Sequence, residues 1–288
     1  MRWFAFILSV TLTGLASLSG CMPVPPTPSP ESQVAPSPQP QQAKRTPTTP
    51  GEREIAQLPT LQGGAEYWVR KPRPVSNDIL QKRYPNIFAL AGPSHKNQVA
   101  LTFDDGPDSK FTPQVLDVLK KHNVPATFFV VGARARALPE VTRRMENENH
   151  VIGNHTYWHP NLPKESMERM DWEVRETERA IRTITGKRTT LFRAPYGELA
   201  PERVERLGDM GYSVIGWSVD SLDWRQLPTE EIINNVLSNT HPGSIILFHS
   251  GGHWTQDLST MVEALDRIIP RLKADGIRFV TVPELLRR

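Results

Sequence analysis

Gln98-Val-Ala-Leu-Thr-Phe-Asp-Asp-Gly106 begins as an apolar run and ends in two adjacent carboxylates, Asp104 and Asp105. The run predicts a buried β-strand. Asp-Gly and the following Gly-Pro are common turn dipeptides, so a turn explains why the strand ends here. A turn does not explain two like charges side by side, because neighbouring carboxylates repel and are costly to bury without partners.

The same strand-then-helix pattern continues to the C-terminus. Thr112 and Pro113 predict the N-cap and first turn of the next helix, and a longer helix with a core-facing apolar stripe from Met167 to Ile184 ends at Gly186. Repeated βα units predict a parallel sheet covered by helices, either doubly wound or closed as a barrel. Seven strands are predicted, over 98–103, 126–131, 151–152, 190–193, 212–219, 244–248 and 278–282.

The N-terminus predicts export. Arg2 is followed by a mostly apolar run from Trp3 to Leu18, typical of a secretory signal over 1–20 and shorter than a transmembrane anchor. Leu18-Ser19-Gly20-Cys21 resembles a bacterial lipobox, so we predict that Cys21 is lipidated and anchors the chain to a membrane. An ordinary signal followed by an incidental cysteine is the alternative. The expected location is the cell envelope.

Composition then divides the rest of the chain. Residues 21–64 are rich in Pro, Ser, Thr and Gln, which predicts a disordered tether. Residues 65–97 are interpreted as an N-terminal extension and 98–288 as the main folded domain. The net charge of +3 comes from 34 basic and 31 acidic residues with no basic block, so nucleic acid is not an expected partner. No obligate protein partner is indicated, and the single cysteine excludes an intrachain disulfide.

Charged and metal-ligating side chains follow five of the predicted strands. They are found in Asp104-Asp105, His155-Thr-Tyr-Trp-His159, Arg193-Ala-Pro-Tyr-Gly197, Asp220-Ser-Leu-Asp-Trp224 and His249. Active sites of α/β barrels and open parallel sheets form at the carboxyl ends of the strands, so these segments should converge in space. Turns that serve stability alone would not supply such a side chain at every one of these strand ends.

The two histidines of the second segment predict a metal site. His155 and His159 are four residues apart, which on a helical turn places two imidazoles on one face. The pair alone is a weak signal, but Asp105 offers a third ligand. A His2Asp set leaves coordination positions open, as in catalytic sites. Zn(II) is the expected ion, and Co(II), Ni(II), Mn(II) and Fe(II) also suit these ligands.

A bound metal would free the other carboxylate for catalysis. Water near a metal ion loses a proton more easily, and Asp104 could accept that proton. Arg193 could hold Asp104 in a bidentate contact. His249 is a candidate general acid for an amine leaving group, with Asp220 or Asp223 to orient its ring.

Further residues near these strand ends suit a sugar substrate. The turn at Pro195-Tyr196-Gly197 could offer a backbone N–H to an oxyanion. Trp158 and Trp224 could form flat platforms on which sugars stack, and packing at the rim is an equal alternative for each.

In this order, the motifs resemble the five signature motifs of the polysaccharide deacetylases, also called carbohydrate esterase family 4 or NodB homology domains. The matching motifs are Thr102-Phe-Asp-Asp-Gly106, His155-Thr-x-x-His159, Arg193-x-Pro-Tyr-Gly197, Asp220-Ser-x-Asp-Trp224 and Leu247-x-His249. The resemblance covers about residues 98–286 and implies an α/β fold, a distorted (β/α)7 barrel, and metal-dependent removal of N-acetyl groups from N-acetylglucosamine polymers.

The resemblance also implies a role for each residue. It makes Asp104 the base, His249 the acid, and the set of Asp105, His155 and His159 the metal ligands. It further implies that Arg193 orients the base, that Tyr196 lends its backbone N–H to the oxyanion, that Asp223 rather than Asp220 tunes the acid, and that Trp224 lines the groove.

The expected activity is deacetylation of an envelope glycan, with peptidoglycan N-acetylglucosamine as the expected substrate because a tethered domain would reach that polymer. Two alternatives are an esterase that removes O-acetyl groups from a glycan, since the same attack serves either acyl group, and a glycan-binding lipoprotein that has lost catalysis.

Overall fold

The structure, a computed structural model, describes residues 57–70 and 77–287. The signal sequence, Cys21 and the tether up to residue 56 lie outside these residues, so their interpretations stay predictions. Within the two described ranges, no helix is both long enough and apolar enough to cross a membrane.

A curled parallel sheet with helices packed against it forms the fold. In chain order the strands are β1 (Phe88–Ala89), β2 (Gln98–Asp104), β3 (Thr127–Val130), β4 (Val151–Asn154), β5 (Leu191–Phe192), β6 (Ser213–Ile215), β7 (Val219–Asp220), β8 (Ile245–His249) and β9 (Arg278–Phe279). Along the sheet the order is β1-β6-β5-β4-β3-β2-β8-β7, and β9 pairs with β2 outside this path. The half-barrel matches the expected (β/α)7 architecture.

Helices follow most of the strands. They are α1 (Glu66–Val69), α2 (Asn77–Arg83), α3 (Phe111–His122), α4 (Gly132–Ala137), α5 (Pro139–Asn147), α6 (Met167–Thr185), α7 (Pro201–Asp209), α8 (Thr229–Leu237), α9 (Ser259–Ala274) and α10 (Val282–Leu286). As predicted, α6 ends at Gly186, whose φ of 75° is easy for a residue without a Cβ. The start of α3 differs, because the Asp108 carboxylate rather than Thr112 accepts from the first N–H groups.

Strand β2 is the centre of the sheet. All seven of its residues are buried, and it pairs in parallel with both β3 and β8. The register places Asp104 beside His249 at the carboxyl ends of β2 and β8. Phe103 stacks on Phe128 and Phe248 from the same two neighbours, with ring centroids 5.1 and 5.7 Å away. The apolar run that predicted a strand thus also anchors the two sides of the site to one another.

The predicted strand over 212–219 is two strands at opposite sides of the sheet. Strand β6 pairs with β1 and β5, whereas β7 pairs with β8, and Gly216–Ser218 crosses between them. A continuous apolar run does not reveal such a bend. The bend directs two backbone carbonyls, of Ile215 and Gly216, towards the site described below.

The N-terminal extension takes part in the fold. Strand β1 pairs in parallel with β6, and Leu80 of α2 is buried in the adjoining core. The described end of the predicted tether, residues 57–64, also contacts the barrel: Leu61 is buried, and Gln62 and Gly63 donate backbone hydrogen bonds to the loop at 155–161.

Candidate active site

The carboxyl ends of the strands bring the predicted metal ligands together. His155 Nε2 lies 3.3 Å and His159 Nε2 3.0 Å from Asp105 Oδ1. One ligand atom from each of the three residues lies within 4.8 Å of the other two. All of these atoms are buried without a hydrogen-bond partner in the described part of the chain. Buried polar atoms normally have partners, so this cluster fits a bound cation.

A loop, not a helical turn, aligns the two histidines. After β4 the chain has positive φ values at Thr156 (66°) and His159 (56°), which a helical turn does not have. The prediction that a helical turn presents the two imidazoles is therefore wrong. The loop is held by Glu173 of α6, whose carboxylate accepts from the backbone N–H groups of Tyr157 and Trp158 at 2.7 Å each. Local turn geometry therefore produces the convergence that the spacing suggested.

Hydrogen bonds at the far side of each ring fix its orientation. The Nδ1 of His155 lies 2.8 Å from the Arg193 carbonyl oxygen, which can only accept. The Tyr196 hydroxyl donates to the Gly64 carbonyl at 2.7 Å and lies 3.1 Å from Nδ1 of His159, so it is placed to accept there. Both Nδ1 atoms then carry the proton in the neutral rings, which leaves both Nε2 lone pairs for a metal. Burial raises the pKa of the Tyr196 hydroxyl, which keeps it protonated.

The Asp105 carboxylate is suited to the ionised state. Burial alone would raise the pKa of its carboxyl, but positive charge on the adjacent imidazoles of His159 and His155, when these are protonated, holds that pKa well below its usual range. A cation bound beside the neutral rings would favour the ionised carboxylate in the same way. Its φ of 66° turns the chain out of β2, and Arg134 donates to its backbone carbonyl at 3.0 Å. Arg134 is fully buried, and sequence reasoning missed it because it lies outside the motifs.

The neighbouring carboxylate, Asp104, is oriented by Arg193. Its Oδ1 accepts from Arg193 Nη1 at 2.8 Å. A bidentate contact was predicted, but only one nitrogen of Arg193 contacts the carboxylate. The other guanidinium nitrogens, Nε and Nη2, donate to the carbonyls of Ile215 and Gly216, at 3.1 and 2.9 Å. These are the carbonyls that the bend between β6 and β7 exposes. Fixed by four acceptors, including the Thr102 hydroxyl, Arg193 can hold Asp104 in one position.

His249 faces this cluster and is paired with Asp223. Its Nδ1 lies 2.8 Å from Asp223 Oδ1, and its backbone N–H donates to Oδ2 at 2.7 Å. Burial alone would lower the pKa of the imidazole, but the Asp223 carboxylate raises it to about 10. Asp220 instead accepts from the Leu222 N–H and pairs with Arg70. The open choice between the two carboxylates is thereby settled in favour of Asp223 as the partner of His249.

The other predicted residues surround this centre. Tyr196 has a φ of 60° in the turn after β5. Trp224 is buried, with the Arg70 guanidinium 5.0 Å from its ring centroid. Trp158 is half-buried and packs edge-on against Tyr157, with ring centroids 5.1 Å apart. Trp224 is therefore not open to solvent here, whereas Trp158 is partly exposed.

Comparisons with known proteins agree with this geometry. Residues 91–215 match the family model "Polysaccharide deacetylase". A peptidoglycan-N-acetylglucosamine deacetylase of Bacillus cereus is 46% identical over 200 residues, covering 69% of this chain and 71% of that protein. The chain belongs to the polysaccharide deacetylase family.

Two further relatives agree with the assignment. A chitooligosaccharide deacetylase of Sinorhizobium fredii is 40% identical over 194 residues, covering 65% of this chain and 90% of that protein. A crystal structure of a peptidoglycan N-acetylglucosamine deacetylase in complex with 4-naphthalen-1-yl-N-oxidanyl-benzamide superposes with a TM-score of 0.69 at 44% identity. It covers 73% of this chain and 97% of that chain. This polysaccharide deacetylase therefore shares both sequence and fold with hydrolases of acetylated glycans.

Proposed function

We propose that this polysaccharide deacetylase hydrolyses the N-acetyl groups of N-acetylglucosamine in peptidoglycan. The observation that carries the proposal is the buried centre of Asp105, His155 and His159, with Asp104 on one side and the Asp223–His249 pair on the other. The similarity to a peptidoglycan-N-acetylglucosamine deacetylase supports the choice of glycan.

The buried centre fits a divalent cation. The chain offers two neutral imidazole nitrogens and one carboxylate, whose facing atoms lack other partners in the described ranges. When bound, such a cation supplies Lewis-acid chemistry, which favours attack of water on an acyl carbonyl. We propose Zn(II) as the native ion, since two His and one Asp with positions left open are typical of catalytic zinc sites.

Two side chains beside the centre carry out the proton transfers, one as base and one as acid. Asp104, held by Arg193, accepts a proton from the water that attacks the acetyl carbon. The Tyr196 backbone N–H stabilises the oxyanion. His249, kept protonated by Asp223, donates a proton to the amide nitrogen as the carbon–nitrogen bond breaks, so that acetate and a free amine leave. Trp158 and Trp224 are proposed to contact the sugar rings.

The proposed cellular setting follows from the N-terminal sequence. An exported chain with a lipid on Cys21 and a Pro-rich tether would hold the catalytic domain near the envelope polymer. Metabolic labelling with a radioactive fatty acid tests the anchor: Cys21→Ala should abolish the label, and a labelled variant would contradict the proposal.

A pair of variants tests the catalytic roles. Asp104→Asn should keep the metal but lower acetate release by about 10²- to 10⁴-fold, the usual contribution of a general base. His155→Ala should lose both metal and activity. Metal content is measured by atomic emission and acetate by an enzyme-coupled assay. Normal turnover of Asp104→Asn on acetylated glycans would show that the assigned base is wrong.

A further inference from the structure

The candidate active site is closed off from solvent, although its proposed substrate is a polymer. Asp104 and His249 are each 3% exposed, and Trp224 is 5% exposed. A glycan chain needs a cleft open at both ends to reach such residues. Residues 57–70, which we call the N-terminal segment, lie over the site and account for part of this burial.

Backbone contacts hold the N-terminal segment in place. The N–H groups of Gln62 and Gly63 donate to the carbonyls of Trp158 and His159 at 2.8 and 2.9 Å. The Tyr196 hydroxyl donates to the Gly64 carbonyl at 2.7 Å. A Cβ at Gly63 would collide with the Tyr196 ring, so only glycine allows this close approach. These contacts involve the loop of the metal ligands themselves.

The segment places one carboxylate inside the site. Glu66 is 3% exposed, and its Oε1 lies 4.0 Å from His159 Nε2. One of its oxygens is within 4.8 Å of ligand atoms of both Asp105 and His249. Glu66 therefore lies between the metal ligands and the proposed acid. The acetyl carbon must occupy this position during attack, and a carboxylate has the trigonal, two-oxygen shape of the acetate product.

A second residue of the segment covers the proposed sugar platform. The Arg70 guanidinium lies 4.5 Å from the ring centroid of Trp217 and 5.0 Å from that of Trp224. It also pairs with Asp220, and its Nη1 lies 3.4 Å from Glu66 Oε2. Arg70 thus has two effects: it orients the Glu66 carboxylate, and it covers the Trp224 ring. Buried charges at two points argue against incidental packing, because each must be compensated.

We propose that Glu66 is an internal ligand of the active site, in the place of the acetyl group, and that the N-terminal segment keeps the enzyme closed until the glycan displaces it. The inference rests on the proposed function, since it assigns Glu66 the position of that reaction's acyl group. The form in which the N-terminal segment has left the active site, the open form, is then the less populated one. The segment therefore lowers the apparent affinity for both glycan and acetate.

The test uses the full chain loaded with Co(II), whose visible absorption reports ligand changes independently of turnover. Wild type, Glu66→Ala and Glu66→Gln are titrated with sodium acetate, with Glu140→Gln as the matched control because Glu140 is exposed and remote from the site. If the open form is about 1–10% populated in wild type, Glu66→Ala should bind acetate about ten- to a hundredfold more tightly. Glu66→Gln should show a smaller gain, and the control none.

Acetate release from peptidoglycan is measured on the same proteins. Glu66→Ala should raise kcat/KM by a similar factor. Arg70→Gln removes the ion pair of Glu66 but keeps Glu66 itself, and it should raise both the acetate affinity and kcat/KM. If Glu66→Ala does not fold, the result for Arg70→Gln tests the proposal in its place. Acetate affinity equal to that of wild type in the folded variants would overturn the proposal. If the acetate titrations change as expected but no protein releases acetate from any glycan, the proposed function fails and the internal ligand stands.

Discussion

Tyr196→Phe should weaken metal binding although it replaces none of the metal ligands. The hydroxyl lies 3.1 Å from Nδ1 of His159 and donates to the Gly64 carbonyl at 2.7 Å. His159 is fully buried, so water cannot easily replace the lost partner. The substitution removes one oxygen, keeps the ring, and preserves the backbone N–H that we assign to the oxyanion.

The size of the effect follows from the unpaired donor. A buried group that loses its hydrogen-bond partner costs about 1–3 kcal/mol. Loss of an outer partner of a metal-ligating histidine commonly costs about 10- to 100-fold in metal affinity, which corresponds to about 1.4–2.7 kcal/mol. The two ranges agree, so we expect the dissociation constant for Zn(II) to rise by about one to two orders of magnitude.

Competition with a chromophoric chelator measures this constant directly. Tyr212→Phe is the matched control, because its hydroxyl contacts Glu178 at 2.9 Å, away from the metal ligands. Tyr212→Phe should bind Zn(II) like wild type. A Tyr196→Phe variant that also binds Zn(II) like wild type would refute the proposed orientation of His159.

Three further substitutions test the residues around the ligands. Asp223→Asn should lower the pKa of His249 from about 10 towards its usual value of about 6.5; since only the protonated ring is an acid, the alkaline limb of the kcat/KM profile should move to lower pH, and an unmoved limb would exclude this pairing from catalysis. Arg193→Lys should lower acetate release by about 100-fold through misplacement of Asp104. It should cause little loss of metal, because the backbone carbonyl of residue 193 still accepts from His155. Loss of metal binding in parallel with activity, measured by calorimetric titration, would contradict a role confined to Asp104. Glu173→Ala leaves two buried N–H groups without an acceptor and should lower the free energy of unfolding in urea by about 2–4 kcal/mol, whereas an unchanged midpoint would mean that the loop has other support.

Strand ends could be predicted well from sequence because their signal is local. The apolar run at Gln98 and the carboxylates after it specify both a buried strand and the point where it ends. The sheet then brings Asp104 beside His249 by register, because β2 and β8 are neighbours in the sheet although they are distant in sequence. Motif spacing along the chain was therefore sufficient to indicate that the site residues converge.

The geometry within the site could not be predicted in the same way. His155 and His159 meet through positive φ values and the support of Glu173, which sequence spacing does not encode. The bend at Gly216, which supplies acceptors for Arg193, lies inside a run that looks like one strand. Both features depend on tertiary contacts, which override local propensity.

Glu66 carried no sequence signal at all. It lies in a segment outside the motifs, next to residues typical of a tether, and it meets Asp105 and His249 only through the fold. A single glutamate near Gly63 and Gly64 is ordinary in a linear sequence. Its burial and its position beside the metal ligands become visible only in three dimensions.

Simultaneous measurement of acetate and free amine shows whether the chain hydrolyses the amide of N-acetylglucosamine. Purified peptidoglycan is incubated with the Zn(II)-loaded chain, and both products are counted, with Asp104→Asn as the inactive reference. Wild type should release acetate and form new glucosamine amines in equal amounts, and the variant should yield almost none of either. Acetate without new amines would indicate ester hydrolysis, and no acetate from the metal-loaded chain would contradict the assignment.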